Sequence, residues 1–147
     1  MAISGRNMKI LVDTDVMFDT LTKREPFYKD SAVIWSWVSE GLVEGYISAI
    51  SVNNIFYIVR KLNGLEYAQR LVDRILEDFE IISLTKDILK QARTIDSGDY
   101  EDLIQYFSAL HEGCEIIVTR NKRDFPQIGL KLMTPKEFID YFTNEMS

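Results

Sequence analysis

Acidic residues stand at three separated places in the chain. Asp13 and Asp15 follow the apolar run Ile10-Leu11-Val12, Asp99 and Asp102 head an amphipathic stretch, and Asp124 lies in a basic segment running from Arg120 to Phe125. Carboxylates brought together are costly. Two unit charges about 4 Å apart repel by roughly 4 kcal/mol at an effective dielectric near 20, so a group of three or four must take up protons or a cation. Oxygen donors without histidine or thiolate favour a hard divalent ion, Mg²⁺ or Mn²⁺, over zinc. The single histidine, His111, and single cysteine, Cys114, are too few for the usual structural zinc site or an internal disulfide. A divalent ion in an acidic cup can activate water and neutralise a phosphoryl group, and the chemistry to expect is phosphodiester hydrolysis.

The elements that must position these acids can be read from periodicity. Lys9 to Val12 is apolar and branched, ends abruptly at Asp13, and reads as a buried parallel strand. Helical spacing follows over 27–40, a strand over 46–50, then a helix capped by Ser51 and another over 65–76. Further strands are expected over 80–84, 115–119 and 130–133, with helices over 85–95 and 99–112. Thr134-Pro135-Lys136-Glu137 is a capping box with proline in the first turn, opening a last helix. Strands separated by helical segments predict an α/β domain with a mostly parallel sheet of four to five strands. Such sheets bind ligands outside the carboxyl ends of their strands, where Asp13 and the loop after the fourth strand belong. Alternation along an extended chain would also point Asp13 and Asp15 to the same side. The helix headed by Asp99 is harder to place, because two helices separate the third and fourth strands.

Composition narrows the remaining choices. A chain of 147 residues with 46% hydrophobic residues fits one domain, expected over 8–147, with residues 1–7 as a polar, flexible leader. The net charge of -6 argues against a simple electrostatic sponge for nucleic acid or an anionic membrane, so a polyanionic partner needs help from a cation. No apolar run approaches the ~20 residues of a membrane span, and one unpaired thiol suits a reducing cytoplasm.

Four segments together resemble the ordered motifs of PIN-domain nucleases: ILVDTDVMFD near the start, SVNNIFYIV in the middle, GDYEDLIQYFSAL heading a helix, and IVTRNKRDF after a late strand. The resemblance covers essentially Met8 to Phe142. It implies a three-layer α/β/α fold, an RNA substrate, a pocket holding Mg²⁺ or Mn²⁺, and kinship with the VapC-like ribonuclease toxins, which act as homodimers restrained by an antitoxin protein. Carried over position by position, Asp13 matches the family's first aspartate, a metal ligand. Asp102 matches the aspartate in the first turn of the late helix, with Asp99 an additional acid, and Asp124 matches the one before phenylalanine. Thr119 matches a threonine that orders the last loop, while Thr14 and Asp15 support the first motif. Arg120, Lys122 and Arg123 would follow the RNA backbone. Two positions depart from the pattern: Asn54 stands where a glutamate is usual, and Asn121 where a first acid after Thr119 is common. Asparagine offers a carbonyl oxygen and no charge, which lowers the expected affinity for metal.

Other readings of the same residues exist. Asp99 could be only a helix cap, Glu101 and Asp102 only acids favoured by the helix dipole, Asp13 a cap of the next turn, and Asp124 the start of a turn. DTDVM at a strand end also suggests a haloacid dehalogenase-like phosphatase with Asp13 as nucleophile and Asp15 as acid, although Met17 and the spacing of the later acids depart from that pattern. A PIN-like module that has lost catalysis and keeps RNA or protein binding is the third possibility.

Overall fold

A computed structural model describes residues 8–96, 98–127 and 129–146; the expected leader, 1–7, lies outside them. Five short strands are described: β1 (Lys9–Val12), β2 (Glu44–Ser48), β3 (Glu80–Ile82), β4 (Ile116–Val118) and β5 (Lys131–Met133). They form one sheet in the order β3-β2-β1-β4-β5, and every neighbouring pair is parallel. The intervening helices are α1 (Thr14–Thr22), α2 (Tyr28–Ser39), α3 (Ala49–Asn63), α4 (Leu65–Asp78), α5 (Lys86–Arg93), α6 (Tyr100–Glu112) and α7 (Pro135–Met146).

Parallel strands buried on both faces read as continuous apolar runs, and the sheet shows why. Ile10, Val12, Ile47, Ile116 and Val118 pack into the core that also holds residues of α1, α2, α3, α4 and α7. Their alternates Leu11, Ile82 and Ile117 pack with Tyr106 and Ala109 of α6. The period of two along each strand thus assigns successive residues to opposite helical layers, giving three layers.

β1 leads outward to β2 and β3 on one side, and the chain then returns to the other side for β4 and β5. The direction of winding reverses between β1 and β4. A crevice opens at such a reversal, outside the carboxyl ends of the two strands. Asp13 and Thr119 are the residues that immediately follow them.

The structure differs from the sequence reading at three places that matter. Helix α1 starts at Thr14, directly after β1, where no helix was expected; its buried residues Val16, Met17 and Asp19 include an acid, which hides the apolar period. Because the chain turns helical at Thr14, the strand alternation invoked for Asp13 and Asp15 does not apply. Helix α3 begins two residues before Ser51, with Ser48 at its N-cap, so Ser51 is a buried residue of its first turn and not a cap. The last helix opens as expected: the Thr134 N–H donates to Glu137 Oε1 at 2.9 Å, and the Glu137 N–H donates to Thr134 Oγ1 at 3.1 Å.

Candidate active site

Asp13 sits at the head of α1 in extended conformation, the position of a cap, yet its carboxylate caps nothing. It turns instead toward α6 and β4. The Gln105 Nε2–H donates to Oδ1 at 3.0 Å and the Thr119 hydroxyl donates to Oδ2 at 2.7 Å. Both donors are wholly buried, and Asp13 itself is only 3% exposed. Gln105 also accepts the Thr14 N–H on Oε1 at 3.3 Å, so one amide spans the end of β1 and the start of α1. Thr119 in turn accepts the Asn121 N–H at 3.0 Å, which orders the loop beyond β4.

The first turn of α6 brings the other acids. Asp99 is a true N-cap, its Oδ1 accepting the Asp102 N–H at 3.2 Å. Asp99, Glu101 and Asp102 line, together with Asp13, Asp15 and Asp124, a cavity of about 460 Å³ whose other wall is Thr14 and the Asn54, Tyr57 and Ile58 face of α3. Asp124 enters from a single 3₁₀ turn, Lys122–Asp124. Asp13, Asp99, Asp102, Asp124, Thr14, Asp15 and Asn54 therefore come from four separate stretches of chain to one cavity. Capping and pocket-lining are not alternatives for Asp99, which does both.

Electrostatics record the crowding. Burial pushes the Asp13 carboxyl up to about 6, against the lowering effect of its bonds from Thr119 and Gln105, with Asp15 and Glu101 adding repulsion. Asp102 is pushed up to about 8, first by burial and then by Asp13, Asp99, Asp124 and Glu101. Among the described residues no three acidic, histidine or cysteine side chains stand as a group set to hold one metal ion. The donor set itself fits a hard divalent cation: the groups are carboxylate oxygens, and their mutual repulsion is the cost that such a charge relieves. Asp13, Asp99, Asp102 and Asp124 are the residues that would hold it.

Some expected residues are engaged elsewhere. The Arg120 guanidinium donates to the fully buried Asp19 from Nε at 2.6 Å and from Nη2 at 3.3 Å, and lies over the Phe27 ring at 4.3 Å. It braces α1 against the loop after β4 and does not extend toward a ligand. Lys122 is paired with Glu137 at 2.9 Å, and the Asn121 amide donates to Asp15 at 3.2 Å. Arg123 is exposed and makes no ion pair among the described residues. His111 pairs with Gln91 at 2.7 Å on the far part of α6, and Cys114 is buried, its thiol pushed up to about 12 by burial, which makes it inert.

Two participants escaped the sequence reading. Gln105 is the polar residue inside Leu103-Ile104-Gln105-Tyr106, and a lone amide in a buried apolar run needs a partner, which was the available signal. Glu101 was noticed only as a dipole-compatible acid.

Comparison with known proteins agrees with this geometry. Residues 9–123 match the family model of the PIN domain. Ribonuclease VapC1 of Aquifex aeolicus (strain VF5) is 24% identical over 137 residues, covering 90% of this chain and 94% of the relative. Among solved structures, VapC20 of Mycobacterium tuberculosis, described as a Sarcin-Ricin loop cleaving toxin, superposes with a TM-score of 0.65 at 12% identity, over 81% of this chain and 98% of that one. DNA-bound VapBC from Salmonella typhimurium gives 0.66 at 17% identity, over 87% and 98%. With the family model matching residues 9–123, well over half of the chain, this chain belongs to the PIN domain family.

Proposed function

We propose that this protein is a metal-dependent endoribonuclease that hydrolyses RNA phosphodiester bonds, and that it serves as the toxin of a toxin–antitoxin pair. One observation carries the reading: acids from three separate stretches of chain line one cavity at the winding reversal of the sheet, with Asp13 held from both sides by buried donors. Mg²⁺ or Mn²⁺ bound by Asp13, Asp99, Asp102 and Asp124 would supply positive charge for the phosphoryl oxygens and lower the pKa of a water.

The chain's own residues do the rest. Gln105 and Thr119 hold the Asp13 carboxylate in one orientation before any ion arrives, so little is reorganised on binding. Burial and the neighbouring acids push the Asp102 carboxyl up to about 8, so in the metal-free cup it would hold a proton at neutral pH that a bound cation would displace. Arg123 on the 3₁₀ turn, next to Asp124, makes no ion pair among the described residues and is suited to a backbone phosphate. Tyr57 and Ile58, 58% and 43% exposed at the cavity mouth, offer an apolar wall for a base.

The toxin–antitoxin complexes among its structural neighbours support an antitoxin partner; a homodimer in the cytoplasm is part of the same proposal. Among the described residues no helix is long and apolar enough to cross a membrane. The direct test is incubation of the purified protein with single-stranded and structured RNAs and Mn²⁺. Cleavage by the wild type that is lost in Asp13→Asn supports the reading. RNA binding without cleavage would favour a binding module, and rapid hydrolysis of small phosphomonoesters a phosphatase.

A further inference from the structure

The α3 wall of the cavity carries no charge. Asn54, where the family resemblance leads one to expect a glutamate, lines it with Tyr57 and Ile58. Glu101 in the first turn of α6 lines the same cavity, although it lies one residue from Asp102 and so about 100° around the helix from it. Both line one cavity at the N-terminal turn of α6.

Glu101 is also tethered. Thr14 Oγ1 lies 2.9 Å from Glu101 Oε2 and 2.5 Å from Ser51 Oγ of α3. A carboxylate can only accept, so the single Thr14 proton goes to Glu101, and the Ser51 hydroxyl donates to Thr14. The chain Ser51–Thr14–Glu101 therefore runs from α3, through the residue after Asp13, to α6. It occupies one oxygen of Glu101 and leaves Oε1 for another partner. An acid placed only to complement the helix dipole would need no such tether and would do equally well pointing to solvent.

We propose that Glu101 is a metal ligand of this site, supplying from α6 the carboxylate that α3 lacks at Asn54, with Ser51 and Thr14 setting its position. The inference rests on the metal-dependent reading of the cavity. It adds that a carboxylate from α6 contributes negative charge to a cavity whose α3 residues carry none.

The test uses Mn²⁺ alone, titrated calorimetrically into the full chain without RNA. Glu101→Gln keeps an oxygen that can accept from Thr14 and removes the charge, so the fold should melt near the wild-type temperature while Mn²⁺ affinity falls on the order of 10- to 100-fold. Asn54→Glu added to Glu101→Gln should recover most of that loss, because a carboxylate is restored to the same cavity from α3. Thr14→Val, which frees Glu101 and leaves its charge, should give a smaller loss. Glu66→Gln, an exposed acid on α4, should change nothing. Wild-type affinity in Glu101→Gln overturns the role of Glu101 and leaves the site reading standing. A wild type that binds no Mn²⁺ overturns both. Should the wild type bind Mn²⁺ and cleave no RNA, the nuclease reading falls and the assignment of Glu101 is still decided by the binding data.

Discussion

Gln105 of α6 and Asp13 at the end of β1 are 92 positions apart in the chain and joined by a buried 3.0 Å hydrogen bond. The amide is used at both ends, since its oxygen takes the Thr14 N–H. Replacing Gln105 by alanine leaves Asp13 and a backbone N–H short of partners, and each uncompensated buried group costs about 1 to 3 kcal/mol. Gln105→Glu should be worse, because it keeps the acceptor, loses the donor and sets a second negative charge against Asp13. We expect metal-assisted cleavage to fall on the order of 10- to 100-fold in the alanine variant and further in the glutamate variant. Parallel melting curves and Mn²⁺ titrations check the order; equal activity in both variants contradicts it.

Proton uptake by the cup gives the metal-free protein a defined pH dependence. Asp102 moves from 3.8 in an unfolded chain to about 8 in the fold, and Asp13 from 3.8 to about 6. The folded state holds these protons more tightly than the unfolded state does. Their contribution is therefore full below about pH 4 and is lost as pH rises, through 6 for Asp13 and through 8 for Asp102. In chelator, the melting temperature should fall between about pH 5 and pH 8, and Asp102→Asn should flatten the upper part of that slope. Mn²⁺ should bind more tightly across the same rise, since it displaces the protons. A melting temperature that climbs toward pH 8 in chelator would contradict the assignment.

Much of this architecture was legible before any coordinates. The run Ile10-Leu11-Val12, the late strand at 116–118 and the box at Thr134 to Glu137 are local signals, and each element appeared where the signal stood. Helix α1 was not legible, because its inward face carries Asp19, an acid whose reason for burial lies 101 residues away at Arg120. For the site, residue types at strand ends pointed to the crevice. Position on the sheet could not say that Arg120 turns inward, that Asn121 reaches Asp15, or that Glu101 shares the cavity; those depend on pairings between elements remote in sequence.

Gly45 of β2 offers a test of packing independent of the site. A Cβ there would stand 2.7 Å from both Val38 γ-carbons on α2 and 2.8 Å from the Phe79 ring, closer than such atoms approach. Gly45→Ala should destabilise by about 1 to 3 kcal/mol through overpacking, read from chemical denaturation. Adding Val38→Ala should recover part of the loss by clearing two of the three contacts. Mn²⁺ affinity should stay unchanged, because Gly45 lies near the start of β2 and the cup lies beyond strand carboxyl ends.

Asp19 and Arg120 form a structural ion pair, whereas Arg123 makes none among the described residues. Asp19 is fully buried and the Arg120 side chain is 19% exposed, so removing either partner strands a charge out of water. Arg120→Ala should cost about 3 to 5 kcal/mol, and adding Asp19→Ala should cost less than the two single changes summed. Arg123 has no such partner, so Arg123→Ala should leave the melting curve near wild type and weaken RNA binding. Its signature is in salt: the slope of log K against log salt should shrink by about one phosphate contact. A slope changed by Arg120→Lys under conditions where that variant is folded would return Arg120 to the RNA-facing role, against the 2.6 Å bond that turns it toward Asp19.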